Sequence, residues 1–190
     1  MRKVTWKGVY PAVTTKFTAN GDLNIEMFLK NIEQQVAAGI DGVVIGGSLG
    51  ESSTLTQEER LELAEAALDR VGDKVDIILN IAEGATRTAI ELVAKAEAIG
   101  VHGFMVLPPM MYKPTDGEVA DYFKDIATST KLPIMLYNNP IDYQIEITLE
   151  IFDGLAELEN LQAVKESTCD VSNVTRIKRL HLFLLRLIEP

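Results

Sequence analysis

A lysine, a tyrosine and a glycine-rich loop are the parts of this sequence that could carry chemistry. Lys165 closes the apolar run Leu161-Gln162-Ala163-Val164-Lys165. Strand alternation would place it on the face of Leu161 and Ala163. A lysine on an inward face is costly when charged, and burial favours the neutral amine that attacks a ketone. Taken alone, it reads better as a strand-end lysine whose ammonium reaches solvent. Tyr137 ends the preceding run, Pro133-Ile134-Met135-Leu136-Tyr137, at the same level. Adjacent strands lie about 4.8 Å apart, so two inward residues at neighbouring ends can meet. A phenol beside an amine can relay protons. The plain alternative is a packed ring whose hydroxyl finds one partner.

The third element is Gly46-Gly47-Ser48-Leu49-Gly50-Glu51-Ser52. Glycines let backbone N–H groups approach an anion, and Ser48 adds a hydroxyl, so a carboxylate suits this loop. A phosphate site suits it poorly, since no Gly-Lys-Ser/Thr ending follows and the glycine spacing is wrong for a dinucleotide. Glu51 reads as a buried, hydrogen-bonded structural carboxylate. His102 and His181 are isolated, without metal-ligand spacing, and no metal is expected. Cys169 has no histidine near it in sequence and reads as structural. Met110-Met111 follows two prolines and would line a pocket or simply pack.

Something must hold these groups in place. Apolar runs of strand length occupy 8–14, 42–45, 75–81, 103–107, 133–137 and 161–165. Amphipathic stretches lie between and after them, at 25–38, 57–71, 87–99, 118–128, 148–157 and 171–180. Thr56 with Glu59 makes a capping box, Thr86 and Asp116 mark two further helix starts, and Gly39 and Gly100 follow helix ends. Strand alternating with helix implies parallel strands, buried on both faces. A doubly wound sheet and a (β/α)8 barrel both satisfy this. Polar residues at the C-terminal ends of the runs are the barrel's habit, although open sheets share it. A whole barrel takes about 250 residues. The expectation is therefore one domain over 1–190, a barrel lacking its last part, with 181–187 as a possible seventh strand in an unusual apolar tail.

Bulk composition narrows the class. The chain has 190 residues, 47% hydrophobic and 24% charged, as globular proteins do. A net charge of −10 argues against nucleic acid as a partner. A single cysteine allows no internal disulfide. With no charged-then-apolar leader and no apolar run long enough to span a bilayer, a cytoplasmic protein without membrane contact is expected.

Together the motifs Gly47-Ser48-Leu49-Gly50-Glu51-Ser52, Tyr137-Asn138-Asn139-Pro140 and Val164-Lys165-Glu166-Ser167 resemble those of the dihydrodipicolinate synthase / N-acetylneuraminate lyase family of (β/α)8 barrels. The opening Gly8-Val9-Tyr10-Pro11-Ala12-Val13-Thr14-Thr15-Lys16-Phe17, followed by Asp22, fits too. The resemblance implies a lyase that works through an imine. Lys165 would form it with the keto carbon of pyruvate or a related 2-oxo acid, and Tyr137 would shuttle protons. Gly47, Ser48 and Leu49 would hold the substrate carboxylate. It implies no cofactor, and a homo-oligomer, tetramer or dimer.

Three positions depart from the family pattern. Leu49 stands where a second hydroxyl is usual. Asp142 stands where the synthases carry a carboxylate-gripping arginine. Met111, with Tyr112 beside it, stands where a tyrosine is lent across a subunit interface. These departures disfavour lysine biosynthesis. They point equally to a dehydratase or deaminase of a sugar- or hydroxyproline-derived 2-oxo acid. Two further alternatives are an inactive or merely binding fragment and an open-sheet nucleotide binder. A barrel without its last strand would leave an open edge and uncovered apolar faces, so aggregation and inactivity of the chain alone are expected.

Overall fold

The computed structural model describes residues 3–180 and 186–188. The chain forms two compact units, Met1–Asn80 with Lys95–Phe104, and Ile81–Ala94 with Met105–Pro190. In each, strands lie side by side in chain order, and the pairings of β1 with β2, β4 with β5 and β5 with β6 are all parallel.

The first unit holds α1 (Ile25–Ala37), β1 (Gly42–Ile45), α2 (Gln57–Val71) and nearly all of β2 (Asp76–Ile81). The end of α3 (Thr86–Ile99) and the start of β3 (Gly103–Val106) also belong to it. Helix α1 starts because the Asn24 side chain accepts the Met27 N–H at 3.0 Å. It ends before Gly39, whose φ of +92° a residue with a Cβ resists. Its buried face is Phe28, Leu29 and Ile32. Helix α2 has the full Thr56/Glu59 capping box and buries Leu63, Ala64, Ala67 and Val71, the three- and four-residue spacing of a helix face. Strands β1 and β2 are buried at every residue, as parallel strands covered on both faces must be.

The segment 8–14 is not a regular strand. It makes one isolated parallel bridge, Ala12 to Val44, with Val13 N–H on Val44 O at 3.0 Å and Val44 N–H on Pro11 O at 2.9 Å. Pro11 has no N–H to give a ladder, and Gly8 turns the chain at φ +90°. Tyr10 anchors the segment by donating to Asp76 Oδ2 at 2.6 Å. Burial first, and the Asp76 carboxylate second, push its phenol well above the usual range. The Tyr10 ring covers Gly42 so closely that a Cβ there would stand 2.2 Å from it.

The second unit runs from the end of β3 through α4 (Asp116–Thr128), β4 (Ile134–Asn138) and the short α5 (Pro140–Tyr143). It continues through α6 (Leu149–Gly154), β5 (Leu161–Glu166), α7 (Val171–Leu180) and β6 (Arg186–Ile188). Helix α4 carries a capping box that the sequence reading missed, Thr115 with Glu118; Asp116 is the first helical residue, not the cap. Thr86 likewise begins α3 from inside the helix. The stretch expected as helix over 148–157 is shorter, with Thr148 as N-cap and Leu155 as C-cap. Of the expected strand 181–187, residues 181–185 lie outside the described residues. Its end falls in β6, where Arg186 pairs with Ala163 and Ile188 with Lys165. His181 also lies outside the described residues. Among the described residues no helix is long and apolar enough to cross a membrane.

Phe123 is 1% exposed on the buried face of α4. Phe123→Ala should cost about 3–5 kcal/mol, and Thr56→Ala, a lost cap, about 1 kcal/mol. Urea unfolding of both variants checks this, and similar losses would show that α4 packs loosely.

Candidate active site

The candidate site in the second unit is built on the pairing of β4 with β5. Tyr137 stands opposite Lys165, and Asn138 opposite Glu166. The Lys165 Nζ lies over the Tyr137 ring, 4.0 Å from its centroid. The register slips by one residue near the start: Ile134 pairs with Leu161 but Met135 with Ala163, leaving Gln162 extra. A one-residue slip exchanges the faces of a strand. Ala163 and Lys165 therefore share a face, as expected, but Leu161 does not; that part of the sequence reading is corrected. Tyr137 is buried and Lys165 half-buried. Tyr143 meets the Tyr137 ring edge-on, centroids 5.7 Å apart.

Buried amides and one carboxylate frame this pair. Glu166 accepts from Asn138 Nδ2 at 3.0 Å, Asn173 Nδ2 at 2.9 Å and the Thr168 N–H at 2.8 Å. Asn138 Oδ1 in turn accepts the Ile147 N–H at 2.9 Å, and its carbonyl accepts the Ser167 N–H at 2.8 Å. One carboxylate thus ties the ends of β4 and β5 to the start of α7. Asn139 donates from Nδ2 to the Tyr137 hydroxyl at 3.0 Å and to Asp142 Oδ2 at 2.7 Å. A cavity of about 440 Å³ opens just past the end of β5, lined by Glu166 to Asp170 with Val171 and Val174.

The glycine-rich loop belongs to the first unit and is described by itself. Gly46 has φ +66° and Gly47 is extended before the 3₁₀ turn Ser48–Gly50, which a second one, Ser52–Thr54, follows. The Gly47 carbonyl accepts from Gly50 at 2.9 Å and from Ser52 at 3.3 Å. Thr15 Oγ1 donates to Gly50 O at 2.6 Å, and a Cβ on Gly50 would stand 2.9 Å from Val13 O, so the glycine is sterically required. Ser48 and Leu49 are exposed and Gly47 is buried. Glu51 is exposed, in the left-handed region at φ +60°, and not the buried carboxylate expected. The segment turns too tightly there to carry the side chain inward.

Sequence reasoning missed several residues. Asn80, wholly buried on β2, donates to Gly46 O at 2.9 Å and pins the loop's entry; its Oδ1 finds no partner among the described residues. An asparagine inside the apolar run 75–81 was the available signal. Asn139 and Glu166 stood inside two of the motifs without a role assigned to them, and Asn173 had no signal, because its partner Glu166 lies across the loop after β5. His102 is structural, its Nδ1 accepting the Ile77 N–H at 2.9 Å. Cys169 is exposed at φ +60°. Met111 and Tyr112 are exposed beside Gly84, lining a separate cavity of about 360 Å³. Among the described residues no group of three His, Cys, Asp or Glu is placed to hold a metal ion.

Parallel β/α units with a lysine and a tyrosine at paired strand ends define the class of a (β/α) barrel with its polar groups at the C-terminal rim. The model of the dihydrodipicolinate synthetase family matches residues 5–184, and this chain belongs to that family. It is 37% identical over 174 residues to a 4-hydroxy-tetrahydrodipicolinate synthase of Moorella thermoacetica, covering 92% of this chain and 60% of that one. Among solved structures, a dihydrodipicolinate synthase of Bacillus anthracis has a TM-score of 0.94 at 31% identity, covering 98% of this chain and 64% of that one. One from Acinetobacter baumannii, complexed with pyruvate, has a TM-score of 0.93 at 26% identity, covering 97% and 64%. The fold is the family's (β/α)8 barrel, of which the chain carries a part; it spans about 60% of the length of the curated relative from Moorella.

Glu166→Ala would leave three buried or half-buried donors without their acceptor and should cost at least about 2 kcal/mol. Glu166→Gln, which keeps a carbonyl acceptor, should cost less. Equal urea midpoints for the two variants would show that the carboxylate holds nothing together.

Proposed function

We propose that this chain carries the reactive lysine of a Schiff-base lyase or aldolase acting on pyruvate or a related 2-oxo acid. The observation that carries the reading is Lys165 Nζ lying 4.0 Å over the Tyr137 ring at paired strand ends. In this mechanism the Lys165 amine adds to the keto carbon, the carbinolamine loses water, and the protonated imine draws electrons from the adjacent bond that breaks. Tyr137 carries protons on and off the intermediates. Family membership and the pyruvate complex of the Acinetobacter relative support the same chemistry. Gly47, Ser48 and Leu49 are proposed to hold the carboxylate through backbone N–H groups and the Ser48 hydroxyl. No organic cofactor takes part. A cytoplasmic homo-oligomer, dimer or tetramer, completes the reading.

Asp142 favours a second reading within the same chemistry. Its carboxylate sits on the Asn139 amide at 2.7 Å, and a carboxylate repels the second anionic group that a condensation partner would bring. Dehydration or deamination of a sugar- or hydroxyproline-derived 2-oxo acid fits that position better than condensation with aspartate semialdehyde. Efficient dihydrodipicolinate synthesis would refute this second reading.

Borohydride reduction with pyruvate should leave a covalent adduct on Lys165, located by mass spectrometry. Lys165→Arg should abolish it, because a guanidinium stays protonated at neutral pH. In an enzyme of the relatives' full length, Tyr137→Phe should keep the fold and lower turnover on the order of 10²–10⁴-fold. An adduct on Lys113 or Lys131 instead, or no adduct, would reject the reading in favour of a non-catalytic fragment.

A further inference from the structure

Asn139 is buried, and both of its side-chain N–H groups are used. Nδ2 donates to the Tyr137 hydroxyl oxygen at 3.0 Å and to Asp142 Oδ2 at 2.7 Å, while Oδ1 accepts the Asp142 backbone N–H at 3.3 Å. An amide can be turned over, but here its neighbours decide. A carboxylate oxygen only accepts and a backbone N–H only donates, so the flipped amide would face like with like on both sides. Asp142 thereby sets Nδ2, and not Oδ1, toward Tyr137. The phenol oxygen is then an acceptor on that side. Conjugation keeps a phenol O–H near the ring plane, which offers two directions. The one toward Asn139 is occupied by an incoming N–H, so the proton takes the other.

We propose that Asn139, locked by Asp142, is the positioning residue that turns the Tyr137 hydroxyl proton away from α5 and so keeps it free for transfer. This rests on the reading of Lys165 as the imine-forming amine and Tyr137 as its proton carrier. Asn139 is also the N-cap of α5. Capping requires only an acceptor oxygen, which Asp or Ser supplies equally well. The N–H directed at Tyr137 is what capping leaves unexplained.

That difference separates the two roles. Asn139→Ser and Asn139→Thr keep a capping oxygen, on a side chain that ends one atom short of the Nδ2 that reaches Tyr137. The full chain is incubated with pyruvate in D₂O. The imine loses a methyl proton to form the enamine and regains a deuteron from solvent, which proton NMR follows; borohydride separately traps the imine. Both variants should melt like the parent and trap on Lys165 to the same extent. They should exchange the methyl group slower by about 10- to 100-fold, the range for a displaced acid–base group. Exchange at the parental rate in both variants overturns the proposal. So does a joint fall in melting temperature and trapping, which would reveal a cap and nothing more. If the parent chain neither traps nor exchanges, the lysine reading falls by itself, and a second measurement decides the present one. Tyr137→Phe should then shift the Asn139 side-chain amide protons in a nitrogen–proton spectrum, and unmoved resonances overturn the contact.

Discussion

The arrangement of the second unit depends on the register between β4 and β5. Side chains alternate along a strand, so pairing is a choice between two faces and not a sliding scale. Ile134 meets Leu161, and Met135 meets Ala163 only because Gln162 is passed over. Had the pairing run on from Ile134 and Leu161 without the slip, Tyr137 would oppose Val164, and Lys165 would present its amine to the other side. Tyr137, Lys165, Asn138 and Glu166 all take their positions from that single slip. The amine and the phenol of the proposed mechanism meet because of it.

A register of this kind needs a lock. A buried carboxylate is costly unless its oxygens are filled, and Glu166 accepts three N–H groups, from the end of β4, the loop after β5 and the start of α7. Each donor is on a different part of the chain, so moving any one leaves a buried polar group unsatisfied. Asp142 works on a smaller scale in the same way, because its charge decides how the Asn139 amide lies. Neither carboxylate sits at hydrogen-bonding distance of the Lys165 ammonium among the contacts described; both act through amides. The lysine Nζ is left over an aromatic face, 4.0 Å from the ring centroid.

The departures from the family's pattern acquire a physical meaning in this setting. Leu49 is an exposed apolar residue in a turn held by backbone bonds and by Thr15. Asp142 is engaged by Asn139, a neighbour that the turn itself supplies. A chain with these two residues still sets Tyr137 opposite Lys165 at paired strand ends.

Much was legible in the sequence because it is encoded locally. The helix over 57–71 with its capping box, the left-handed glycines at 39 and 100, and five of six strands follow from periodicity and turn chemistry within a few residues. Lys165 and Tyr137 were legible because both close an apolar run, and strand ends at one level are neighbours in a parallel sheet. The alternation that was to put Leu161 on the face of Lys165 failed, since a slip in pairing leaves no mark in one strand's own sequence. The segment 8–14 has a strand's composition, but Pro11 and the turn at Gly8 leave it one bridge. Glu51 looked buried because its loop is apolar and glycine-rich, and the direction of that turn aims it outward. Glu166, Asn173, Asn80 and Asn139 became functional candidates only in the fold. Their meaning lies in which donor faces which acceptor, and that is set when strands distant in sequence come together.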